Sequence, residues 1–282
     1  MRVLITGAHG QLGRALIATA PADAVLDATD ATELDITDAP AVERRINATK
    51  PQLVINAAAY TLVDQAESDE VEALRINGDA VGVLAAASRA IGARFVHVST
   101  DFVFDGGQST PYAPDAATNP LNAYGRTKLA GEQAAGTDAL IVRTAWVYAA
   151  QGHNFVRSML RAMAERERLR VVIDQVGTPT YARGLAEALW ALSARQVQGI
   201  FHYTDSGCAS WYDFAVAIQE EALARGLLSR EIPIDPIATA DYPTAATRPP
   251  YSVLDKRATV ALIGAAPHWR VQLRRMIEEL HG

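Results

Sequence analysis

The stretch RVLITGAHGQLGRALIATA, residues 2–20, joins a strand-like segment to a helix-like segment through a glycine-rich turn. RVLIT is short and apolar and Gly7 follows it directly, whereas QLGRALIATA carries apolar residues at helical spacing. Glycines at such a turn, here in the pattern G-x-x-G-x-x-G, permit a tight turn, close approach to a pyrophosphate and close helix–strand packing. Free N–H groups at the helix start can then hold the anion. The cofactor-binding residues predicted for this turn are Gly7, Gly10, Gln11, Leu12 and Gly13.

The same alternation of strand-like and helix-like segments continues through the first half of the chain. Further strands are predicted at DAVLDATD (23–30), QLVINAA (52–58), ARFVHVS (93–99) and ALIVRTAWVY (139–148). Helices are predicted between them at 38–50, 68–92 and 122–135. The strands are almost continuously apolar, which is typical of a parallel sheet covered on both faces. The alternation predicts an α/β fold with a doubly wound, Rossmann-type parallel sheet.

The second half of the chain changes character. Its helix-like stretches are interleaved with short strands and with loops rich in Pro, Gly and Thr, such as DQVGTPT (174–180) and DYPTAATRPPYS (241–252). We therefore predict an NAD(P)-binding Rossmann domain over residues 1–146. Residues 147–282 are predicted to form mainly a smaller, mixed α/β substrate-binding lobe, with some segments returning to the Rossmann domain.

Composition and charge restrict the class of protein. The 282 residues are 49% hydrophobic and 21% charged, which is ordinary for a soluble globular chain. A net charge of −6, from 26 basic and 32 acidic side chains, argues against a nucleic-acid surface. No secretory signal and no membrane-length apolar run is recognisable. Cys208, the single cysteine, is predicted to be a small buried or loop residue, and we expect a reducing, cytoplasmic location without nucleic-acid or membrane partners.

An acidic residue after the second strand commonly binds the adenosine ribose of a dinucleotide. Asp30 is the preferred candidate, with Asp27 as the alternative at the same strand end. Asp35 and Ile36, in the following loop, are further cofactor-binding candidates on the adenine side. An acid here favours NADH because it repels a 2′-phosphate, but Arg14 is a nearby cation that could admit one, so NADH and NADPH both stay open. The candidates that flank the cofactor after the third strand, with generic packing as the alternative, are Ala59, Tyr60 and Thr61.

The segment LNAYGRTKLAGE, residues 121–132, carries Tyr124 and Lys128 four positions apart on a predicted helix. Four residues are about one helical turn, so both side chains project from the same face. This geometry is necessary for a proton donor with a tuning cation, but ordinary helix surfaces also carry Tyr and Lys at this spacing. The glycine-rich turn upstream, and Thr100 at the end of the fourth strand, favour the catalytic interpretation.

Motifs along the whole chain resemble those of the extended short-chain dehydrogenase/reductases and, within them, the dTDP-4-dehydrorhamnose reductases. The resemblance extends from residue 1 to about residue 275. In chain order, the motifs that carry it are the glycine turn, NAAAYTLVDQAES, STDFVFDG, Tyr124-x-x-x-Lys128, RTAWVYA, NFV, DQVGTPT and ATRP. The resemblance implies NAD(P)H-dependent reduction of the 4-keto group of dTDP-4-dehydro-6-deoxy-L-mannose (dTDP-4-dehydro-L-rhamnose) to dTDP-L-rhamnose.

The resemblance also implies the catalytic roles. Tyr124 would be the proton donor, Lys128 would hold the nicotinamide ribose and lower the tyrosine pKa, and Thr100 would hydrogen-bond the substrate oxygen. Moving a tyrosine pKa from about 10 to near 7 takes roughly 4 kcal/mol. One cation at about 4 Å and an effective dielectric constant near 20 supplies an energy of this order.

The residues after Thr100 separate this chain from related dehydratases. Dehydratases of the superfamily characteristically have Thr-Asp-Glu, whereas this chain has Phe102 in the third position, and a phenyl ring cannot act as an acid or a base. Keto reduction is therefore favoured. By resemblance, Asp101 binds a sugar hydroxyl and Trp146 packs on the sugar ring; a turn residue and a core residue are the respective alternatives.

The remaining substrate-binding candidates lie in the second half. Arg248, beside two prolines, suits a diphosphate because a guanidinium matches phosphate oxygens, with an exposed loop arginine as the alternative. Asn154 and Gln175 are predicted to contact the nucleotide. The histidines lack metal-ligand spacing. Relatives with magnesium-bridged dimers have an acid where Ala15 stands, so the sequence does not support Mg²⁺, and a homodimer stays open.

Two alternatives belong to other classes. One is a different nucleotide-4-keto-sugar reductase or an epimerase, which substrate loops decide. The other is a non-catalytic NADP(H)-binding regulatory subunit of similar sequence. Retention of Thr100, Tyr124 and Lys128 favours an enzyme over the regulatory subunit.

Overall fold

Strands and helices alternate in the first half of the protein, as a computed structural model of residues 1–281 describes it. The strands are β1 (Arg2–Thr6), β2 (Val25–Thr29), β3 (Leu53–Asn56), β4 (Arg94–Thr100) and β5 (Leu140–Thr144). The helices are α1 (Gln11–Ala18), α2 (Ala39–Thr49), α3 (Val63–Ala66), α4 (Glu70–Leu74), α5 (Ala80–Ala90) and α6 (Ala123–Ala135). A π-helical turn, Arg75–Asp79, joins α4 to α5, and a 3-10 turn, Asp101–Val103, follows β4.

The second half contains shorter strands. They are β6 (Val147–Tyr148), β7 (Leu169–Val172), β8 (Val176–Gly177), β9 (Thr180–Tyr181), β10 (Gly199–His202), β11 (Ala209–Ser210) and β12 (Ile234–Ile237). The helices are α7 (Phe155–Glu165), α8 (Ala182–Ala194), α9 (Trp211–Ala224), α10 (Arg257–Ile263) and α11 (Trp269–His281). A 3-10 turn at Thr239–Asp241 lies in the loop after β12.

A six-stranded parallel sheet in the order β10-β5-β4-β3-β1-β2 organises the first half. The chain passes from β1 outwards to β2 and returns to β3 on the other side of β1, so the strand order reverses between β1 and β3. Ligands of such sheets bind outside the carboxyl ends of the strands at this point. The predicted doubly wound, Rossmann-type fold is confirmed, and it places Gly7 at this reversal.

Helices cover both faces of the sheet. Val3 and Ile5 point to one face and pack with Leu185 of α8, whereas Leu4, between them, packs with Leu84 of α5 on the other. α1 lies against α8 on the first face, and α2, α5 and α6 form a layer on the second. The almost continuous apolar character of the strands follows from this burial on both faces.

The second half builds its own core and also contributes to the sheet. Phe214 of α9 is at the centre of a cluster formed with α7 and α11, beside the two-stranded pairs β6–β9, β7–β12 and β8–β11. β10 pairs with β5 in the main sheet, and α8 packs on α1. The division at residues 146 and 147 remains a prediction, since both halves share the main sheet.

Two sequence-based expectations need correction. The strand predicted over residues 139–148 ends at Thr144, and Trp146 has a φ of +48° that no regular strand allows. The helix predicted over residues 68–92 contains the π-helical turn. Cys208 is exposed in the loop before β11. Within residues 1–281, no helix is both long enough and apolar enough to cross a bilayer.

Candidate active site

The glycine-rich turn is packed so tightly that side chains would not fit. Gly7 has a φ of +72°, in the region that favours glycine. A Cβ at Gly7 would lie 2.7 Å from the N atom of Ala58, and one at Gly13 would lie 2.1 Å from the carbonyl oxygen of Gly7. α1 begins after Gly10 without a side-chain cap, so N–H groups of its first turn stay available for an anion. This cradle fits the diphosphate of a dinucleotide.

Gln11, predicted at the cofactor, meets Asn154, predicted at the substrate. The Asn154 amide donates to Gln11 Oε1 at 2.8 Å and to the Ala149 carbonyl at 2.7 Å, while its Oδ1 caps α7 by accepting the N–H of Arg157. Leu12 instead packs against the core beneath α1. The observed contacts of Asn154 are structural, and its contact with a nucleotide stays a prediction.

Asp30 lies directly after β2, next to the glycine-rich turn. Its Oδ1 accepts hydrogen bonds from the backbone N–H and the hydroxyl of Thr32 at 2.9 and 2.8 Å. Its Oδ2 forms an ion pair with Nδ1 of His9, and Arg14 donates to the His9 carbonyl at 3.0 Å. The hydrogen bond from Thr32, and to a lesser extent His9, lowers the pKa of Asp30. Sequence reasoning missed His9, although it stands inside the glycine motif.

The other residues predicted on the adenosine side of the cofactor are Asp27, Asp35 and Ile36, and each makes contacts within the protein. Asp27 accepts a hydrogen bond from Arg45 of α2 at 2.8 Å. Asp35 is exposed and accepts from the N–H and hydroxyl of Thr37 at 2.9 and 2.7 Å, which lowers its pKa. Ile36 is buried in the core under α2. Asp30 is therefore closer to the glycine-rich turn than Asp27, whose carboxylate is committed to Arg45.

The segment after β3 is fixed by an asparagine of the π-helical turn. Asn77 Oδ1 accepts the N–H of Tyr60 at 2.9 Å, and its amide donates to the Tyr60 carbonyl at 3.0 Å. The Tyr60 hydroxyl donates to Asp69 at 3.2 Å. Ala59 is half-buried and Thr61 is exposed. Asn77 was missed from the sequence because this pairing depends on tertiary contact.

The start of α6 is pressed against the turn after β4, which brings Tyr124 beside Thr100. Asn122 caps α6 through the N–H of Gly125 at 2.8 Å. A Cβ at Gly125 would lie 2.2 Å from the carbonyl oxygen of Phe102, so only glycine permits this approach. The Phe102 ring packs edge-on against the Tyr124 ring at 5.8 Å.

The hydroxyl groups near Tyr124 interact with a buried carboxyl group. Thr100 donates to Asp101 Oδ1 at 3.0 Å. Asp101 Oδ2 is buried without a hydrogen-bond partner within residues 1–281. Burial raises the pKa of Asp101 to about 6. Burial also raises the pKa of Tyr124 to about 12, against a lowering by its hydrogen bond with Thr100, and Asp101 adds to the rise.

Lys128 is buried below Tyr124 and its side chain turns towards the sheet. Nζ donates to the Val98 carbonyl at 2.7 Å and lies 3.3 Å from Nε2 of His97. Burial lowers the pKa of Lys128 to about 8, although Glu132 raises it. The groups that set the pKa of Tyr124 here are therefore burial, Thr100 and Asp101, rather than a lysine cation.

Trp146 forms a stacked pair with a residue that sequence reasoning missed. Its ring lies 3.5 Å from that of Trp211 at an angle of 10°. The left-handed conformation of Trp146 and the missing side chain of Gly177 make room for it, since a Cβ there would lie 2.8 Å from the ring. Trp211 donates to Gln175 at 3.2 Å, and Gln175 donates to Thr239 at 3.1 Å.

Arg248 is held by the first half of the chain. It pairs with both carboxylate oxygens of Asp64, at 2.7 and 3.0 Å. The neighbouring Thr247 carbonyl accepts a hydrogen bond from Asn122, the cap of α6, at 2.8 Å. This loop thereby joins the start of α6, and diphosphate binding by Arg248 stays a prediction.

The candidates thus fall into separate groups. Thr100, Asp101 and Tyr124 interact directly, whereas Trp146 and Arg248 belong to other clusters. Open cavities around Tyr181 lie against α8 and α11 and do not include the Tyr124 site. Over residues 1–281, no three His, Cys, Asp or Glu side chains are grouped so that they could hold a metal ion.

Comparisons with known proteins identify the family of this chain. The family model described as RmlD substrate binding domain matches residues 1–281. The dTDP-4-dehydrorhamnose reductase of Burkholderia thailandensis is 42% identical, covering 99% of both chains. The dTDP-4-keto-6-deoxy-D-glucose reductase of Streptomyces niveus is 41% identical, covering 96% of this chain and 95% of that one. The crystal structure of dTDP-4-dehydrorhamnose reductase from Bacillus anthracis in complex with NADP is 36% identical, with a TM-score of 0.93 over 99% of each chain.

The family follows from the extent of these matches. The family model spans almost the whole chain, and the sequence relatives align over nearly their full lengths. The motif resemblance is thereby confirmed, and the chain belongs to the dTDP-4-dehydrorhamnose reductase family of NAD(P)H-dependent oxidoreductases.

Proposed function

We propose that this protein reduces the 4-keto group of dTDP-4-dehydro-L-rhamnose to give dTDP-L-rhamnose, with NADPH or NADH as the reductant. The observation that carries the proposal is the convergence of Tyr124, Thr100 and Asp101 after β4, at the same carboxyl edge of the parallel sheet as the glycine cradle after β1 that suits a dinucleotide. The Burkholderia thailandensis relative, a dTDP-4-dehydrorhamnose reductase, and the NADP bound to the Bacillus anthracis protein support the substrate class and the cofactor.

Tyr124 is suited to the role of proton donor. Its pKa of about 12 keeps the phenol protonated at neutral pH, so a proton is available when the keto oxygen gains charge. The bound nicotinamide would supply the hydride to C4. Tyr124 would protonate the resulting alkoxide, and Thr100 would donate a hydrogen bond to the same oxygen, which stabilises the developing charge.

Three other groups would position the sugar nucleotide. Asp101 has a buried, unpaired oxygen that could accept a sugar hydroxyl. The stacked Trp146–Trp211 pair offers an aromatic surface to a sugar ring. Arg248 would exchange part of its pairing with Asp64 for the substrate diphosphate. Phe102 provides no acid or base for dehydration, which favours simple reduction.

The test is nicotinamide oxidation by the native protein and by Tyr124→Phe. With the epimerised dTDP-4-keto sugar, the native protein should oxidise NADPH or NADH, and Tyr124→Phe should lose at least about 100-fold in kcat/KM. Tyr148→Phe is the matched control, because the buried Tyr148 hydroxyl has no hydrogen-bond partner within residues 1–281 and its loss should leave turnover unchanged. Equal rates for the native protein and Tyr124→Phe would refute the assignment of the proton donor.

A second candidate is reduction of a different dTDP-4-keto-6-deoxy sugar. The Streptomyces niveus relative, a dTDP-4-keto-6-deoxy-D-glucose reductase with 41% identity to this chain, favours this candidate. Offering the keto sugar before and after 3,5-epimerisation separates the two: preference for the non-epimerised sugar would replace the rhamnose proposal. Absence of turnover with both sugars, together with tight cofactor binding, would support the regulatory-subunit alternative.

A further inference from the structure

A chain of buried polar side chains runs from β3 to Lys128. Asn56 at the end of β3 is 1% exposed, His97 in β4 is 0% exposed and Lys128 is 2% exposed. The Asn56 amide nitrogen lies 3.2 Å from Nδ1 of His97, and Nε2 of His97 lies 3.3 Å from Nζ of Lys128. Each hydrogen bond in such a chain fixes the donor and acceptor roles in the next.

The orientation of the Asn56 amide is decided by a backbone group. Its Oδ1 lies 3.1 Å from the N–H of Ala58 and 2.7 Å from the hydroxyl of Thr6. A backbone N–H can only donate, so the side-chain atom facing Ala58 must be the oxygen. The Asn56 nitrogen therefore faces His97 and donates to it, which makes Nδ1 of His97 an acceptor.

The tautomer of His97 follows from this orientation. A neutral imidazole with an accepting Nδ1 carries its proton on Nε2. The doubly protonated ring is disfavoured, because burial lowers the pKa of His97 well below its ordinary value and Lys128 adds to the lowering. Nε2–H therefore points at Nζ of Lys128. An ammonium has only donors, so this hydrogen bond forms only when Nζ is an uncharged amine.

The charged groups around Lys128 do not reverse this. Glu132, one helical turn further along α6, is the acid that acts on Lys128. It is itself bound by Arg143 of β5 through two hydrogen bonds of 2.8 and 2.7 Å, which offset its charge. Tyr124 on the same helix is protonated, and Asp101 after β4 interacts with Thr100 and Tyr124.

We propose that His97 is a positioning residue that favours the uncharged amine form of Lys128 before the cofactor binds, and that binding of the dinucleotide shifts Lys128 towards the ammonium form by uptake of a proton from the solvent. This inference rests on the proposed role of Lys128 at the nicotinamide ribose. Ribose hydroxyl oxygens accept hydrogen bonds from an ammonium, and the diphosphate adds negative charge nearby, so the bound state favours the charged form.

The test is the number of protons taken up when NADPH binds, measured by titration calorimetry in two buffers of different ionisation enthalpy. At about pH 9, where the ligand and the ordinary histidines do not titrate, Tyr124→Phe, whose side chain cannot release a proton, should take up a proton when the cofactor binds. Lys128→Met in the same background should bind cofactor without proton uptake, which assigns the titration to this lysine. Cofactor binding by Tyr124→Phe without uptake would overturn the inference.

Two variants change the hydrogen-bond donors and acceptors next to Lys128 while keeping polar side chains at positions 56 and 97. In His97→Gln, an amide oxygen can accept a hydrogen bond from the ammonium, so Lys128 should stay charged and proton uptake should be lost. Asn56→Asp should invert the His97 tautomer, because a carboxylate can only accept, and should also abolish uptake. Retention of uptake in both variants would refute the role of His97. Failure of the native protein to bind either NADPH or NADH would instead refute the proposed function.

Discussion

The ion pair between Glu132 and Arg143 joins α6, the helix that carries Tyr124, to β5 of the main sheet. Its loss should substantially lower the free energy of unfolding. The two side chains are 4% and 3% exposed and share two hydrogen bonds, of 2.8 and 2.7 Å. Arg143 also donates to the Pro114 carbonyl at 3.1 Å and lies 5.1 Å from the centre of the Phe104 ring. Glu132→Gln removes one charge and keeps the shape, so the guanidinium stays buried without a counter-charge.

The expected loss can be estimated from this burial. Removing one partner of a buried pair costs about 3–5 kcal/mol of unfolding free energy. For a protein of this size each kcal/mol lowers the melting temperature by about 2–4 °C, so Glu132→Gln should lower it by roughly 6–20 °C. Thermal unfolding by circular dichroism measures the change.

Two further variants make the reasoning refutable. Asp138→Asn removes the acid of an exposed pair with Arg89, where the side chains are 49% and 53% exposed, and should cost no more than about 1 kcal/mol. Combining Glu132→Gln with Arg143→Met removes both buried charges and should recover most of the loss, apart from about 1 kcal/mol for the Pro114 hydrogen bond. If Glu132→Gln were no worse than Asp138→Asn, the buried pair would not hold the helix.

Three other perturbations test the cofactor site and the acid stability of the fold. Gly13→Ala places a methyl group 2.1 Å from the Gly7 carbonyl oxygen and should weaken NADPH binding at least about 100-fold in a fluorescence titration; near-native affinity would contradict the cradle. His9→Ala leaves the charge of Asp30 uncompensated, so the ratio of NADPH to NADH affinity should fall, and an unchanged ratio would exclude His9 from cofactor selection. Burial lowers the pKa of His202 to about 3, so below about pH 6.5 the unfolded chain binds a proton that the folded chain does not. Stability should therefore fall as the pH drops from about 6.5 towards 3, and His202→Gln should flatten this fall in melting temperature, whereas changing an exposed histidine should not.

Local patterns allowed the fold and the position of Tyr124 in a helix to be predicted. The spacing of Gly7 and Gly13 reflects the close approach of Gly13 to the Gly7 carbonyl oxygen within one strand–turn–helix unit, whereas the close contact of Gly7 is with Ala58 after β3. Tyr124 is the second residue of α6, so helical periodicity was enough to place it in this helix. The strand predicted over residues 139–148 is interrupted at Ala145 and Trp146, because the left-handed conformation of Trp146 is allowed by packing against Gly177 and Trp211 rather than by local propensity.

The residues that sequence reasoning missed have partners far away in the chain. His97 contacts Asn56, which is 41 residues earlier, and Lys128, which is 31 residues later. Trp211 stacks on Trp146 across the second half of the chain. His9 does stand in the glycine motif, but only the fold places Asp30 beside it. Such pairs carry no periodic signal, and the π-helical turn that presents Asn77 likewise depends on tertiary contact.

The same buried network revises the simplest account of the catalytic pair. A Lys cation that lowers the pKa of Tyr124 suits a group that must lose its proton early. Burial raises the Tyr124 pKa to about 12, and Lys128 donates to the Val98 carbonyl. A reductase needs its tyrosine protonated until hydride transfer begins, so a lysine whose charge increases when the cofactor binds would leave the phenol protonated beforehand. The charged Lys128 would then stabilise the Tyr124 phenolate once the proton has been transferred. Proton transfer would therefore depend on an occupied cofactor site.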